Sequence, residues 1–177
     1  NNGETPTATF LDSGRVGIGS TSPGFQLDLQ NGGGDGIRVA GYSTGAGNDA
    51  RLYLARSNNG TVGTQTAVDN GDSLGKVIFQ GSNGSSFVTG ASVTAIARET
   101  WSGTQYGSEL SFNVTKTGDT SETAVIVIDK NGKVGLNETN PALPLHISYS
   151  STNTTIDSNS GAHCAIMLQN TSNTDGN

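Results

Sequence analysis

The sequence predicts an all-β protein built of repeated modules, on three observations. Strand- and turn-forming residues dominate it, apolar residues recur at spacing two in short runs, and the stretch Gly14–Leu29 is written again at Gly132–Ile147. Gly, Thr, Ser and Asn fill 85 of 177 positions and hydrophobic residues only 32%, against about 45–50% apolar in ordinary globular domains. A composition this lean struggles to offset the roughly 1–2 kcal/mol of backbone entropy that each ordered residue costs. The expectation is therefore a core shared with copies of the same chain.

The first element is the duplication. Gly14-Arg15-Val16-Gly17-Ile18-Gly19-Ser20-Thr21-Ser22-Pro23 aligns without gaps with Gly132-Lys133-Val134-Gly135-Leu136-Asn137-Glu138-Thr139-Asn140-Pro141. Upstream, Phe10-Leu11-Asp12 parallels Val127-Ile128-Asp129, which implies one inserted residue before the second glycine. Downstream, Ala50–Leu54 weakly resembles Ala165–Gln169. In each copy an apolar pair runs into a glycine turn, where positive φ is easily reached. Val16 and Ile18, or Val134 and Leu136, then share one strand face, with Gly17 or Gly135 between them on the other. A glycine there admits close approach of another backbone, expected from a neighbouring chain. Pro23 and Pro141 force an extended corner, after which Leu27 and Leu29, or Leu145 and Ile147, resume the alternation. The unit reads strand, turn, strand, corner, strand.

Between the copies lie four more runs. Asp72–Gln80 leads into the turn Gly81-Ser82-Asn83-Gly84. Gly90–Arg98 sets Ala91, Val93, Ala95 and Ala97 on one face, and Glu109–Thr115 does the same with Leu110, Phe112 and Val114. Glu122–Asp129 is apolar more continuously, as a strand covered on both sides would be. Such runs separated by turn clusters predict a small antiparallel sandwich. Asn48–Ser57 reads as a strand through Leu52 and Leu54 rather than as a short helix. The expected organisation is residues 1–31 as the end of a preceding module plus a linker element, 32–131 as a β module, 132–150 as a second linker element, and 151–177 as the start of the next module. The two ends read as those of an excerpt from a longer chain.

These residues resemble the repeat modules of bacteriophage tail fibres. The resemblance rests on Asp72-x-Leu74-Gly75-x-Val77-x-Phe79-x-Gly81, Gly90-Ala91-x-Val93-x-Ala95, Ser108–Phe112 and the run from Glu122 to Leu136. It rests also on Val16-Gly17-Ile18-Gly19-Ser20-Thr21-Ser22-Pro23, which is similar to the Val-Gly-Ile-Gly-Thr-Thr-x-Pro signature of such fibres. The motifs span most of residues 7–147, and the second copy departs from them at Leu136-Asn137-Glu138. The resemblance implies an intertwined homotrimer, a stiff spacer in the virion that presents surface to a host-cell glycan or protein. Many such fibres end in a self-cleaving intramolecular chaperone domain, to which nothing in residues 1–177 corresponds. A bacterial surface adhesin or filament subunit is the first rival reading, and a fibre-borne polysaccharide depolymerase the second.

Other chemistry is sparse. Net charge is −6 with nine Lys and Arg, which argues against nucleic acid or an anionic membrane as partner, and no apolar run approaches the roughly 20 residues of a membrane span. Gly45-Ala46-Gly47-Asn48-Asp49-Ala50 matches a dinucleotide-loop pattern without the preceding strand that such a site needs, so it reads as a loop. Asp35 and Asp49 lack the spaced carboxylates of a Ca²⁺ loop. His146, His163, Cys164 and Met167 are the soft ligands. His146 sits on the outward phase of its strand, although one axial His per chain is a way in which related fibres bind metal. No cofactor, metal or catalytic group is expected. Trp101 and Tyr106, in a polar loop, are candidates for stacking on a sugar, with a covering role at the module's end as the preferred alternative.

Overall fold

The computed structural model describes residues 8–30, 36–42, 44 and 49–148. Within them every regular element is a strand, as the composition predicts. The strands are β1 (Ala8–Phe10), β2 (Val16–Ile18), β3 (Leu27–Leu29), β4 (Ser73–Ser82), β5 (Phe87–Ala97), β6 (Ser108–Thr115), β7 (Glu122–Ile128), β8 (Val134–Leu136) and β9 (Leu145–Ile147). They form a three-stranded sheet in the order β1-β2-β3 and a six-stranded sheet in the order β4 through β9. The chain divides into two compact units, Asn1–Tyr53 and Leu54–Asn177.

The first unit holds one copy of the repeated element and the second unit the other, with identical registers. Phe10 pairs with Val16 as Ile128 pairs with Val134, and Val16 pairs in parallel with Leu27 as Val134 does with Leu145. The turns agree as well. Leu11 N–H donates to Arg15 O and Asp129 N–H to Lys133 O, while Gly14 N–H donates to Leu11 O and Gly132 N–H to Asp129 O. Leu11 thus corresponds to Asp129, and the offset is 118 throughout. The inserted residue that the sequence implied is not there; matching Asp12 to Asp129 by type displaced the alignment by one. Gly14 and Gly132 sit at φ of 80° and 77°, the left-handed region the turn demands.

The departure in the second copy has a physical reading. Gly19 sits at φ 73° and its counterpart Asn137 at φ 52°. Both occupy the left-handed conformation that lets a chain leaving one strand return beside it. Asn tolerates that conformation better than other residues with a Cβ. The conformation survives the divergence. The corner is also re-created with different atoms: Asp28 Oδ2 accepts the Gly24 N–H at 2.8 Å, and His146 Nδ1 accepts the Ala142 N–H at 3.4 Å.

Gly17 and Gly135 do admit close approach, but not from another chain. A Cβ on Gly17 would run into the Ser20 carbonyl oxygen, and one on Gly135 into that of Glu138, both far inside the 3.0 Å that real Cβ atoms respect. The corner folds its own backbone over the glycine three residues back, which corrects the inter-chain expectation. Residues 49–57 form neither strand nor helix. Leu52 and Leu54 have the spacing of a strand but no ladder partner among the described residues. Gly75 instead gives room to Leu54, whose Cβ would lie 2.7 Å from an added Cβ.

Candidate functional site: an uncovered apolar face and an aromatic loop

The six-stranded sheet has two faces of opposite chemistry. Registry sets Val77 beside Val93, Val93 beside Phe112 and Phe112 beside Ile126. In the next row Ala95 pairs with Leu110 and Leu110 with Ile128, and Ile128 with Val134, which leads to Leu145. Val, Phe, Leu and Ile therefore tile one face from the β4 edge to the β9 edge. Leu54 lies against Gly75 at the β4 edge, but among the described residues most of that face stays open: Phe79 is 57% exposed and Leu145 49%, and Val77, Leu110, Phe112, Ile128 and Ile147 are also exposed. The described strands of the module lie in a single sheet, and no second layer covers it among the described residues. Glu122–Ile128 is accordingly covered on one side only. Within the chain Val127 is buried while its neighbour Ile128 is exposed.

The other face is polar and closed at its centre, while Ile78 at the β4 edge stays exposed. Ser92 is 2% exposed and Ser111 4%, and such groups need partners once water is removed. Asn113 supplies them, its Nδ2 donating to Ser92 Oγ at 3.1 Å, Thr94 Oγ1 at 3.3 Å and Ser111 Oγ at 3.3 Å. Ser92 Oγ in turn donates to Glu122 Oε2 at 2.8 Å, and Lys76 Nζ pairs with Glu122 Oε1. Beside this network Arg98 forks onto buried Glu109, at 2.9 and 2.7 Å, the bidentate geometry that makes such pairs strong. Alternation in the sequence placed these residues on one face, but no signal marked it as the closed one.

The Lys76 hydrogen bond, then that of Ser92 and the Lys76 charge, hold the Glu122 carboxyl below its ordinary 4.5 against the opposing effect of burial. Burial pushes Asp129 up, but the backbone N–H groups of Lys133 and Asn131, the Asn131 amide and the Lys133 charge together hold it below 3.8. Both folded values lie under the unfolded ones. Their stabilisation is thus complete above the unfolded values and is lost as pH falls through the folded ones. Urea midpoints should be level near neutral pH and decline below 4.5, and Glu122→Gln should flatten part of that decline. An equally steep decline in the variant would contradict the assignment.

Trp101 and Tyr106 come together across the turn closed by Ser102 N–H to Gln105 O, 3.1 Å. Their rings meet edge to face, centroids 5.6 Å apart at 87°. Trp101 N–H donates to the carbonyl of buried Val68 at 2.9 Å, which ties the loop to the end of the sheet. The indole Nε1 is buried with no acceptor, whereas Tyr106 is 59% exposed. Of this pair only Tyr106 offers a free ring.

Among the described residues no group of three or more His, Cys, Asp or Glu converges as metal ligands. His146 faces away from Leu145 and Ile147, with Glu138 4.0 Å from its Nδ1. Asp35, His163, Cys164 and Met167, with Gly45–Asn48 and Ala165–Gln169, lie outside the described residues. Asp49 and Ala50 are irregular and no helix follows them among the described residues.

No protein-family model and no curated protein matches the chain. Among solved structures, the carboxy-terminal domain of the bacteriophage T5 L-shaped tail fibre is similar with a TM-score of 0.59 at 16% identity, covering 89% of this chain and 72% of that one. The same domain with its intramolecular chaperone domain is similar with a TM-score of 0.60 at 16% identity, covering 95% and 53%. The chain has the fold of a phage tail-fibre domain.

Proposed function

We propose that the chain is a structural segment of a phage tail fibre, a homotrimeric, non-enzymatic spacer in the virion that carries surface for host attachment. The observation behind this reading is the uncovered apolar face. Three faces turned to a common axis form one dry core, which reconciles the lean composition with a stiff fibre. In this reading the repeated Val-Gly-Ile element closes each module and joins it to the next.

Sedimentation equilibrium at micromolar concentration should give three times 18.0 kDa; a stable monomer would overturn the reading. Attachment is assigned to the loop that presents Tyr106, whose free ring suits stacking on a sugar. Tyr106→Ala should abolish binding of the trimer to a cell-surface glycan panel while leaving its mass unchanged. Equal binding by the variant removes Tyr106 from that role.

A further inference from the structure

The six-stranded sheet does not close on itself, and its two edges differ. β4 is ten residues long and pairs only with β5, and β9 is three residues long and pairs only with β8. Among the described residues no backbone group pairs with the outer side of β4. A long edge with apolar side chains on both faces, Val77 and Phe79 on one and Ile78 on the other, invites another strand. It carries no proline, and its one lysine, Lys76, is already engaged by Glu122. Register breaks between Ser73 and Gly75 and again between Phe79 and Gln80. The chain's own Leu54 and Arg56 lie against Gly75 and Ser73, so the open straight stretch is Lys76–Phe79, a length that suits β9.

We propose, building on the trimer reading above, that the β4 edge of each copy receives the β9 edge of the next, so that three sheets close into a ring with no free edge. The faces match across this join. Val77 and Phe79 carry the apolar face at one edge and Leu145 and Ile147 at the other, while Ile78 and His146 carry the opposite face. A three-fold rotation keeps every apolar face inward, so joining the edges continues both faces without a slip. Strand directions also agree. From β4 each neighbour is antiparallel until β8, and β8 to β9 is parallel, so β4 and β9 run the same way and the join is a parallel ladder.

The dimensions permit it. Six strands at about 4.8 Å make a side about 29 Å wide, and a three-sided prism of that width sets each sheet about 8 Å from the axis. Phe and Leu side chains span that distance, so the interior fills without a lumen. The open apolar face favours copies of this chain over a small partner, because one short peptide on β4 would leave Leu110, Phe112 and Ile128 exposed.

Cysteine pairs test the join in a Cys164→Ser background. Within one chain Ile78 and His146 are five strands apart, about 24 Å, beyond the roughly 7 Å Cα separation a disulfide allows. Any cross-link between them is therefore intermolecular. Ile78→Cys with His146→Cys, and Lys76→Cys with His146→Cys for the alternative register, should oxidise to a covalent species of three chains and no more. Val77→Cys with Leu145→Cys reads the same join from the apolar face, so a folding defect in one pair leaves another. A trimer of correct mass that cross-links through none of these pairs would overturn the edge assignment and leave the assembly standing. A ladder extending past three chains would overturn ring closure. A monomeric mass would overturn the trimer and the join together.

Discussion

Phe112→Asp should convert the proposed trimer to monomers. Phe112 lies on β6 near the middle of the apolar face, between Val93 and Ile126. Each copy loses the burial of a large side chain, about 1.5–3 kcal/mol. In the proposed trimer each also places a carboxylate where three faces meet, at several kcal/mol per desolvated ion. Summed over three chains the loss exceeds 10 kcal/mol by these figures, enough to move dissociation from beyond detection to micromolar or weaker. Sedimentation equilibrium reads the change directly. Phe112→Leu keeps an apolar side chain and should remain assembled, and Lys116→Asp, outside the strands, should leave the mass unchanged. Lowering the pH should partly restore assembly of the Asp variant, because protonation removes the buried charge. A Phe112→Asp protein that sediments like the parent would show that this face is not the interface.

The repeat and the strands were legible in the sequence because their causes are local. Glycine and asparagine at the turns, alternation along β6, and proline at the corner each act within a few residues. What the sequence left open is set by contacts distant along the chain. The Ser92–Asn113–Glu122 network and the Arg98–Glu109 fork join residues 11 to 30 apart, and alternation alone does not tell which face of a sheet is sealed. The strand-like spacing of Leu52 and Leu54 misled for a related reason. A strand exists only with a ladder partner, and spacing carries no information about partners. The role of Asn137 was visible as a departure from the pattern, yet its meaning needed the backbone angle. Trp101 and Tyr106 were singled out as a pair; the structure separates them into an anchor and a presenting ring.

The sharpest test of the repeated element concerns its glycine. Gly135→Ala is expected to destabilise the fold by about 3 kcal/mol, the upper range for overpacking, because the new Cβ meets the Glu138 carbonyl. That atom belongs to backbone pinned on both flanks, by the pairing of Gly135 with Val127 and with His146 and by Asn137 N–H donating to Val125 O at 2.9 Å. A flexible side chain could yield to the methyl group, but this carbonyl cannot. Gly81→Ala is the matched control, since a Cβ there meets nothing within 4 Å and a strand Gly→Ala change is otherwise neutral to slightly favourable. Urea denaturation of both variants gives the comparison, and Gly17→Ala should repeat the Gly135 result in the first unit. Introducing Gly135→Ala into the Phe112→Asp monomer locates the contact. A clash within the chain persists there at full size, whereas one that required a neighbouring chain would vanish with the assembly.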